Sequence, residues 1–184
     1  MEHIKQDQII NIPNALTVVR IMLLPVVVWR FMIGDATGAL IAYLAAMLTD
    51  ALDGIIARKF NQITALGKLL DPLADKLLVC SAMICLVDLK LLPAWIVIII
   101  IAREFIISGF RLVAAEGGTV IAAGIWGKYK TAITMITIIF MIPNFGGPTV
   151  HIIEQIMIYL SLALTVISLV DYLVHNKSVL AGKM

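Results

Sequence analysis

Long apolar stretches alternate with short polar breaks along the whole chain. A helix needs roughly 20 residues to cross the apolar core of a bilayer, and each stretch is about that long. The breaks are rich in glycine, proline, asparagine and charged residues, which favour turns. The pattern predicts six transmembrane helices, running approximately from Asn14 to Ile33, Ala39 to Phe60, Ala65 to Leu89, Leu91 to Ala115, Gly127 to Ile142 and Val150 to Val174.

Residues 1–12 follow a different pattern. Isoleucines alternate there with charged and amide side chains, and Pro13 and Asn14 mark the junction with the first apolar stretch. A short segment of this kind is typical of a helix that lies in the membrane surface. The sequence therefore predicts an N-terminal amphipathic interfacial helix before the first span.

The composition is that of an integral membrane protein. Of the 184 residues, 61% are hydrophobic and 14% are charged, and the mean hydropathy is +1.03. Soluble domains are about 45–50% apolar and about 25% charged. The net charge of +2 is too small to indicate a nucleic-acid partner. We therefore expect an all-α membrane protein with a single domain over residues 1–184.

Lysines and arginines are distributed unevenly between the breaks. One set of segments, which includes both ends of the chain, carries most of these cations. The other set carries Arg30 and Lys90, and has no Lys or Arg between Pro143 and Pro148. Because cytoplasmic segments are enriched in Lys and Arg, the pattern predicts a multi-pass protein of the cell (plasma) membrane. Both termini, and the break at residues 61–64, would face the cytoplasm.

Four aspartates flank the break between the second and third stretches. Asp50 and Asp53 are three residues apart, so they share one face of a helix. Asp71 and Asp75 are four apart and do the same. In an antiparallel helix pair, Asp53 comes level with Asp71, and the outer two aspartates come level about 5 Å deeper. So much negative charge in a membrane protein requires a cationic partner.

This carboxylate cluster predicts a divalent metal site. Ligand sets made only of oxygen favour Mg²⁺, Mn²⁺ or Ca²⁺ over Zn²⁺, and paired Mg²⁺ ions commonly bridge phosphates. Gly54 and Gly67 leave room for a bulky ligand beside the backbone. Arg58, one turn after Gly54, can bind phosphate. The structural alternative is that lysines on neighbouring helices balance the carboxylates.

The stretch from Asp50 to Asp75 resembles the signature of the CDP-alcohol phosphatidyltransferases. That signature reads D-x-x-D-G-x-x-A-R, then eight residues, then G-x-x-x-D-x-x-x-D, and every fixed position matches. The resemblance implies transfer of a phosphatidyl group from CDP-diacylglycerol to an alcohol, with release of CMP. It also implies two Mg²⁺ or Mn²⁺ ions and a homodimer.

The resemblance further implies roles for individual residues. The metal ligands would be Asp50, Asp53, Asp71 and Asp75. Asp75 would also be the catalytic base. The nucleotide and CDP-diacylglycerol would be bound by Asn14, Thr17, Gly54, Ala57, Arg58, Thr64 and Gly67.

The start of the first apolar stretch is unusually polar. Asn14, Thr17 and Arg20 recur at three-residue spacing and would lie on one face of a helix. One interpretation is a polar groove beside the aspartates. The other is an ordinary helix start, with Asn14 as N-cap and Arg20 paired with a carboxylate. The family resemblance favours the groove for Asn14 and Thr17.

A second group of cations lies in the fourth and fifth stretches. Arg103 and Arg111 share one face of the fourth, and Lys128 opens the fifth. Cations within a membrane are seldom without function, so we expect these three to bind the phosphate of an acceptor. In the alternative, Glu104 neutralises one of them and Arg111 reaches the membrane surface.

The pattern over the whole chain bears on the acceptor. N-I-P-N-x-L-T-x-x-R at the start and I-A-R-E in the fourth stretch resemble most the family members that use glycerol 3-phosphate. Inositol phosphate, serine and phosphatidylglycerol are the alternative acceptors. From another class, a cation-coupled transporter would also carry carboxylates in its spans. It would show duplicated halves, and the sequence contains no repeat.

A few polar and aromatic residues near span ends are expected to be interfacial rather than catalytic. The polar residues are His151, Glu154 and Asp171. The three tryptophans are expected to lie at the membrane–water interfaces, where aromatic side chains are enriched.

Overall fold

The computed structural model describes residues 12–60, 65–116, 121 and 124–177. Within these residues the chain is helical and has no β-strand, so the all-α prediction is confirmed. The helices are α1 (Ile12–Met32), α2 (Ala36–Phe60), α3 (Ala65–Asp88), α4 (Ala94–Glu116), α5 (Ile125–Met141) and α6 (Pro148–His175). Their bounds lie within a few residues of the predicted stretches.

The N-terminal prediction is not tested by this structure. The interfacial helix proposed for residues 1–12 lies outside the described residues, apart from Ile12, which begins α1. The break at residues 61–64 lies outside them too. Its flanks agree with the prediction, since α2 ends at Phe60 and α3 begins at Ala65.

Among the described residues, three helices are long and apolar enough to cross a membrane. The spans are Asn14–Met32 in α1, Ala36–Asp53 in α2 and Pro148–His175 in α6. The other helices differ because α3 and α4 carry several charged side chains, and α5 has only 17 residues. Large apolar side chains are exposed on all six helices, as expected where lipid surrounds a protein. The chain is a membrane protein, and the count of six spans stays a prediction.

The chain forms two compact units, Met1–Cys85 and Leu86–Met184. In the first, α1 packs along α2, and buried alanines let the helices approach closely. Its interior includes Val27, Ala39, Tyr43, Ala46, Ala74 and Leu78. In the second, α6 packs against both α4 and α5. Its interior includes Ile96, Ile100, Ile138, Met141 and Ile158.

Asp35 holds the turn between α1 and α2. Its Oδ1 accepts a hydrogen bond from the Gly38 backbone N–H at 2.8 Å, which caps the start of α2. Its Oδ2 accepts one from Arg30 Nη1 at 2.9 Å. The Gly38 bond chiefly, and Arg30 in addition, hold the pKa of the Asp35 carboxyl below its usual value of 3.8. A Cβ at position 38 would lie 2.2 Å from Asp35 Oδ2, so the cap requires glycine there.

We expect the charge of Asp35 to stabilise the fold near neutral pH. Because its folded-state pKa is lowered, the stabilisation is complete above the usual value of 3.8 and is lost as the pH falls through the folded-state pKa. Asp35→Asn keeps a capping oxygen but removes the charge. It should lower the unfolding temperature in detergent near neutral pH, and the difference should vanish at acid pH. The same difference at every pH would contradict this origin.

Candidate active site

Three polar side chains are buried along one face of α1. Asn14, Thr17 and Arg20 are spaced by three residues, and all are at least nine-tenths buried. α1 begins at Ile12, so Asn14 lies inside the first turn and is not the N-cap that the ordinary helix start required. A buried polar face in a membrane helix needs partners, and aspartates provide them for Thr17 and Arg20.

Arg20 lies between the two aspartates of α2. Its Nη1 is 2.9 Å from Asp50 Oδ1, and its Nη2 donates a hydrogen bond to Asp53 Oδ2. Arg20 and Asp53 are buried, whereas the Asp50 side chain is 44% exposed. The pairing of Arg20 with a carboxylate, one of the two interpretations of this segment, is confirmed. Arg20 thus supplies the positive charge that the buried α2 carboxylate requires.

Thr17 ties α1 to α3. Its hydroxyl donates a hydrogen bond to Asp71 Oδ1 at 2.5 Å. This bond crosses 54 positions of sequence and brings the first aspartate of α3 to the α1 face that also carries Arg20. Thr17, predicted to bind nucleotide, therefore lies at the aspartate cluster.

The four aspartates differ in the groups with which their charges interact. Asp53 is close enough to Asp50 and Asp71 for their charges to interact. Asp75 interacts in the same way with Tyr43, whose buried hydroxyl has no hydrogen-bond partner among the described residues. In the described part of the chain, no three histidine, cysteine, aspartate or glutamate side chains are gathered closely enough to hold a metal ion as they stand.

The donor atoms nevertheless suit a hard divalent cation. Asp50, Asp53 and Asp71 offer only carboxylate oxygens, which Mg²⁺ and Mn²⁺ prefer. Asp50 is open to a ligand, since nearly half of its side chain is exposed. A cation would share these oxygens with Arg20 or take its place. The residues therefore fit a divalent metal by chemistry and by access.

The other residues predicted to bind CDP-diacylglycerol are described only in part. Gly54, Ala57 and Arg58 lie in the last turns of α2, of which the structure describes the backbone alone. Gly67 is buried at the start of α3. Thr64 lies outside the described residues.

A second polar cluster joins α4, α5 and α6. Glu104 Oε1 lies 2.7 Å from Arg103 Nη1 and 2.8 Å from Lys130 Nζ. Arg103 Nε donates a hydrogen bond to Ser168 Oγ at 3.1 Å. Gly127 makes room for this arginine, since a Cβ there would lie 3.3 Å from Arg103 Nη2. The alternative interpretation, in which Glu104 neutralises one of these cations, is confirmed for Arg103.

Lys130 was not among the residues predicted to bind the acceptor phosphate, although it is close in sequence to Lys128. It is buried and holds the same carboxylate oxygen as Arg103. The sequence did offer a clue, because Lys128 and Lys130 lie two residues apart at the start of the fifth stretch. Only the packing of α5 shows which of the two faces the interior: Lys130 does, and Lys128 is exposed.

Arg111 differs from Arg103. Its guanidinium lies 5.6 Å from the centre of the Tyr172 ring, a cation–π distance. Its Nε is buried and has no hydrogen-bond partner in the described residues. Of the three cations predicted to bind an acceptor phosphate, Arg103 therefore pairs with Glu104. Arg111 differs because its Nε–H donates to no acceptor in the described residues.

Comparison with known proteins agrees with these features. Residues 10–167 match the family model described as CDP-alcohol phosphatidyltransferase. The chain is 46% identical over 136 residues to a Bacillus subtilis protein named CDP-diacylglycerol–glycerol-3-phosphate 3-phosphatidyltransferase, covering 66% of this chain and 70% of the relative. It is 36% identical over 171 residues to the Haemophilus influenzae protein of that name, covering 89% and 91%.

A Mycobacterium tuberculosis protein named probable phosphatidylglycerophosphate synthase is 34% identical over 171 residues, covering 90% of this chain and 81% of the relative. The family model spans most of the chain, including the α1 face, both aspartate pairs and the Arg103–Glu104–Lys130 cluster. The chain therefore belongs to the CDP-alcohol phosphatidyltransferase family.

Proposed function

We propose that the protein transfers the phosphatidyl group of CDP-diacylglycerol to glycerol 3-phosphate, giving phosphatidylglycerophosphate and CMP. The observation that carries the proposal is the pair of aspartates on α2, joined through Arg20 and Thr17 to the α3 aspartate. The names of the relatives indicate the acceptor. This is phospholipid synthesis at a membrane site that both a lipid and a water-soluble acceptor can reach.

Asp50, Asp53 and Asp71 would hold two divalent ions, Mg²⁺ or Mn²⁺, with Asp75 near the second. When bound, such ions neutralise and polarise a pyrophosphate. The chain's own part is to hold the carboxylates ready. Thr17 fixes Asp71 through its hydroxyl, and Arg20 fixes the α2 pair. Preorganised charge of this kind is a large source of rate acceleration.

Asp75 is the proposed base. It would accept the proton of the acceptor hydroxyl while that oxygen forms a bond to the phosphorus bearing the diacylglycerol. The bond from this phosphorus to the bridging oxygen breaks, and CMP leaves with the electron pair. Asn14, Thr17, Gly54, Ala57, Arg58, Thr64 and Gly67 are proposed to orient the nucleotide and diphosphate.

The acceptor phosphate is proposed to bind Arg111 and Lys128. Arg103 would contribute to phosphate binding while it stays paired with Glu104, because the Glu104 carboxylate contacts both Arg103 and Lys130. That cluster has two positive charges and one negative, so its net charge also favours an anion. Serine, which lacks a phosphate, would gain less from these cations.

Release of labelled CMP from CDP-diacylglycerol, measured with a panel of acceptors, tests the proposed reaction. Glycerol 3-phosphate should support the highest kcat/KM among glycerol 3-phosphate, inositol phosphate, serine and phosphatidylglycerol. No CMP release with any of them would reject the activity. A higher kcat/KM with serine would reject the acceptor assignment.

Arg111→Gln should raise the KM for glycerol 3-phosphate by roughly tenfold, because it removes a charge-assisted bond to phosphate. Lys128→Gln should act in the same direction. The KM for CDP-diacylglycerol should change much less. Lys177→Gln, which removes an exposed cation beyond α6, is the matched control. Equal increases in the KM values for glycerol 3-phosphate and for CDP-diacylglycerol would show that these cations do not bind the acceptor specifically.

The proposed topology has six spans and both termini in the cytoplasm of a plasma-membrane protein, with the active site on the cytoplasmic side. Cys80 and Cys85 are first replaced by alanine, and one new cysteine is placed at Lys59, Lys183 or Asn144. Membrane-impermeant maleimide should label the first two only from the cytoplasmic side, and the third only from outside. Labelling of Lys59 and Asn144 from one side would contradict the topology.

A homodimer is proposed from the family resemblance. Exposed apolar side chains on all six helices leave surface for a second copy as well as for lipid.

A further inference from the structure

A cavity in the second unit is lined by none of the residues proposed above for catalysis or substrate binding. It has a volume of about 360 Å³ and is formed where α3 ends, α4 begins and α6 begins. Its apolar wall includes Val87, Leu92 and Pro93. Pockets for small ligands span about 300–1,000 Å³, so this one suits a headgroup-sized molecule.

Glu154 gives the cavity a buried negative charge. The residue lines the cavity, is only 6% exposed, and its Oε1 has no hydrogen-bond partner among the described residues. Its Oε2 is 3.7 Å from Nδ1 of the exposed His151. A buried carboxylate oxygen without a donor is costly. Glu154 lines the cavity, so a ligand there that brings an N–H donor can meet this side chain.

Lys90 gives the same cavity a positive charge. The end of α3 is a Schellman turn, with Leu91 N–H bonded to Leu86 C=O and Lys90 N–H bonded to Val87 C=O. Lys90 occupies the left-handed position of that turn at a φ of 60°, where glycine is usual. A lysine there costs backbone energy, and it places an exposed cation at the cavity that Glu154 lines.

The depth of the cavity points to a lipid headgroup. Three helix ends meet there, and helix ends of a membrane protein lie near the headgroup region. Trp95, in the first turn of α4 and 51% exposed, is the residue type that marks this level. A headgroup at this depth would meet Lys90 and the buried Glu154, with His151 and Gln155 also in the lining.

We propose that this cavity binds the headgroup of a zwitterionic aminophospholipid. The ammonium would donate to the Glu154 carboxylate, and the phosphate would pair with Lys90. A primary ammonium fits because it carries N–H donors; a trimethylammonium has none and would give the carboxylate no hydrogen bond. On the topology proposed above, this headgroup belongs to the outer leaflet, so the site is regulatory or structural rather than catalytic.

Native mass spectrometry of the delipidated full-length protein tests the proposal. Phosphatidylethanolamine and phosphatidylcholine with identical acyl chains are added in equal amounts. The ethanolamine lipid should be retained about tenfold over the choline lipid, the effect of one charge-assisted hydrogen bond. Equal retention of the two lipids by the unmodified protein would overturn the proposal without any variant. Preferential binding of free phosphoethanolamine, added in the same amount, would overturn the assignment to a lipid.

Two variants localise the effect. Glu154→Gln should abolish the preference for ethanolamine, while Asp171→Asn should keep it. Asp171 is the matched control because it is also an α6 carboxylate with a histidine one turn away, His175 at 3.2 Å, but it does not line the cavity. CMP release should be unchanged in Glu154→Gln, which confirms that the variant is folded. A preference that survives in Glu154→Gln would overturn the site.

Discussion

Replacing any one of Asp50, Asp53, Asp71 and Asp75 by asparagine will lower kcat for CMP release by about a hundredfold or more, as expected when a charge that acts in the transition state is lost. Asparagine keeps the size and polarity of each side chain. At Asp50, Asp53 and Asp71 it should also raise the concentration of Mg²⁺ or Mn²⁺ needed for half-maximal activity, because the affinity for the metal falls. At Asp75 the effect should fall on kcat, since the proposed base is lost.

Asp88→Asn is the matched control for these variants. Asp88 ends α3, the helix that carries Asp71 and Asp75, and it is exposed. Its replacement should leave turnover and metal dependence unchanged. Circular dichroism and size-exclusion chromatography establish that each variant is folded. Near-normal turnover in two of the four active-site variants would refute the metal cluster.

Glu104→Gln will lower the free energy of unfolding by about 3 kcal/mol, the usual loss when one partner of a buried ion pair is removed. Glu104 Oε1 holds both Arg103 and Lys130, whose side chains are 8% and 3% exposed. The variant leaves two buried cations without a carboxylate. Unfolding of the protein in mixed micelles, followed by circular dichroism, measures the change.

A second substitution separates charge from packing. Lys130→Met in the Glu104→Gln background removes one of the stranded cations and keeps an apolar side chain of similar length. It should therefore recover part of the lost stability. Asp171→Asn, at a partly exposed carboxylate of the same unit, should change stability far less. If Glu104→Gln unfolds like the parent protein, the cluster does not carry the stability that its burial implies.

The helices could be predicted well because their signal is local. A run of apolar residues ended by glycine, proline or charge contains its own boundaries, and α2 and α3 end and begin where the polarity changes. The aspartate motif was equally local, since each pair lies within one helical turn. The family assignment rests on that motif, and the family model confirms it.

The partners of the charges were less predictable because they are set by packing between distant segments. Nothing near Arg20 in the sequence selects Asp50 and Asp53 rather than another carboxylate. The same holds for Thr17 and Asp71, 54 positions apart. Glu104 could be matched to its neighbour Arg103, but its second partner, Lys130, depends on how α5 turns towards α4. The Glu154 cavity needs three helix ends to meet, which a linear pattern does not encode.

The position of Arg20 has a consequence for how the protein is made. A newly inserted chain must bury Asp53 in the bilayer, and a lone carboxylate there would favour ejection of α2 or retention of a proton. Arg20 lies on the helix that is synthesised before α2, so the counterion is already in place when Asp53 arrives. Membrane insertion and folding of the first unit would therefore not require a metal ion, and the proposed metal site could be filled afterwards.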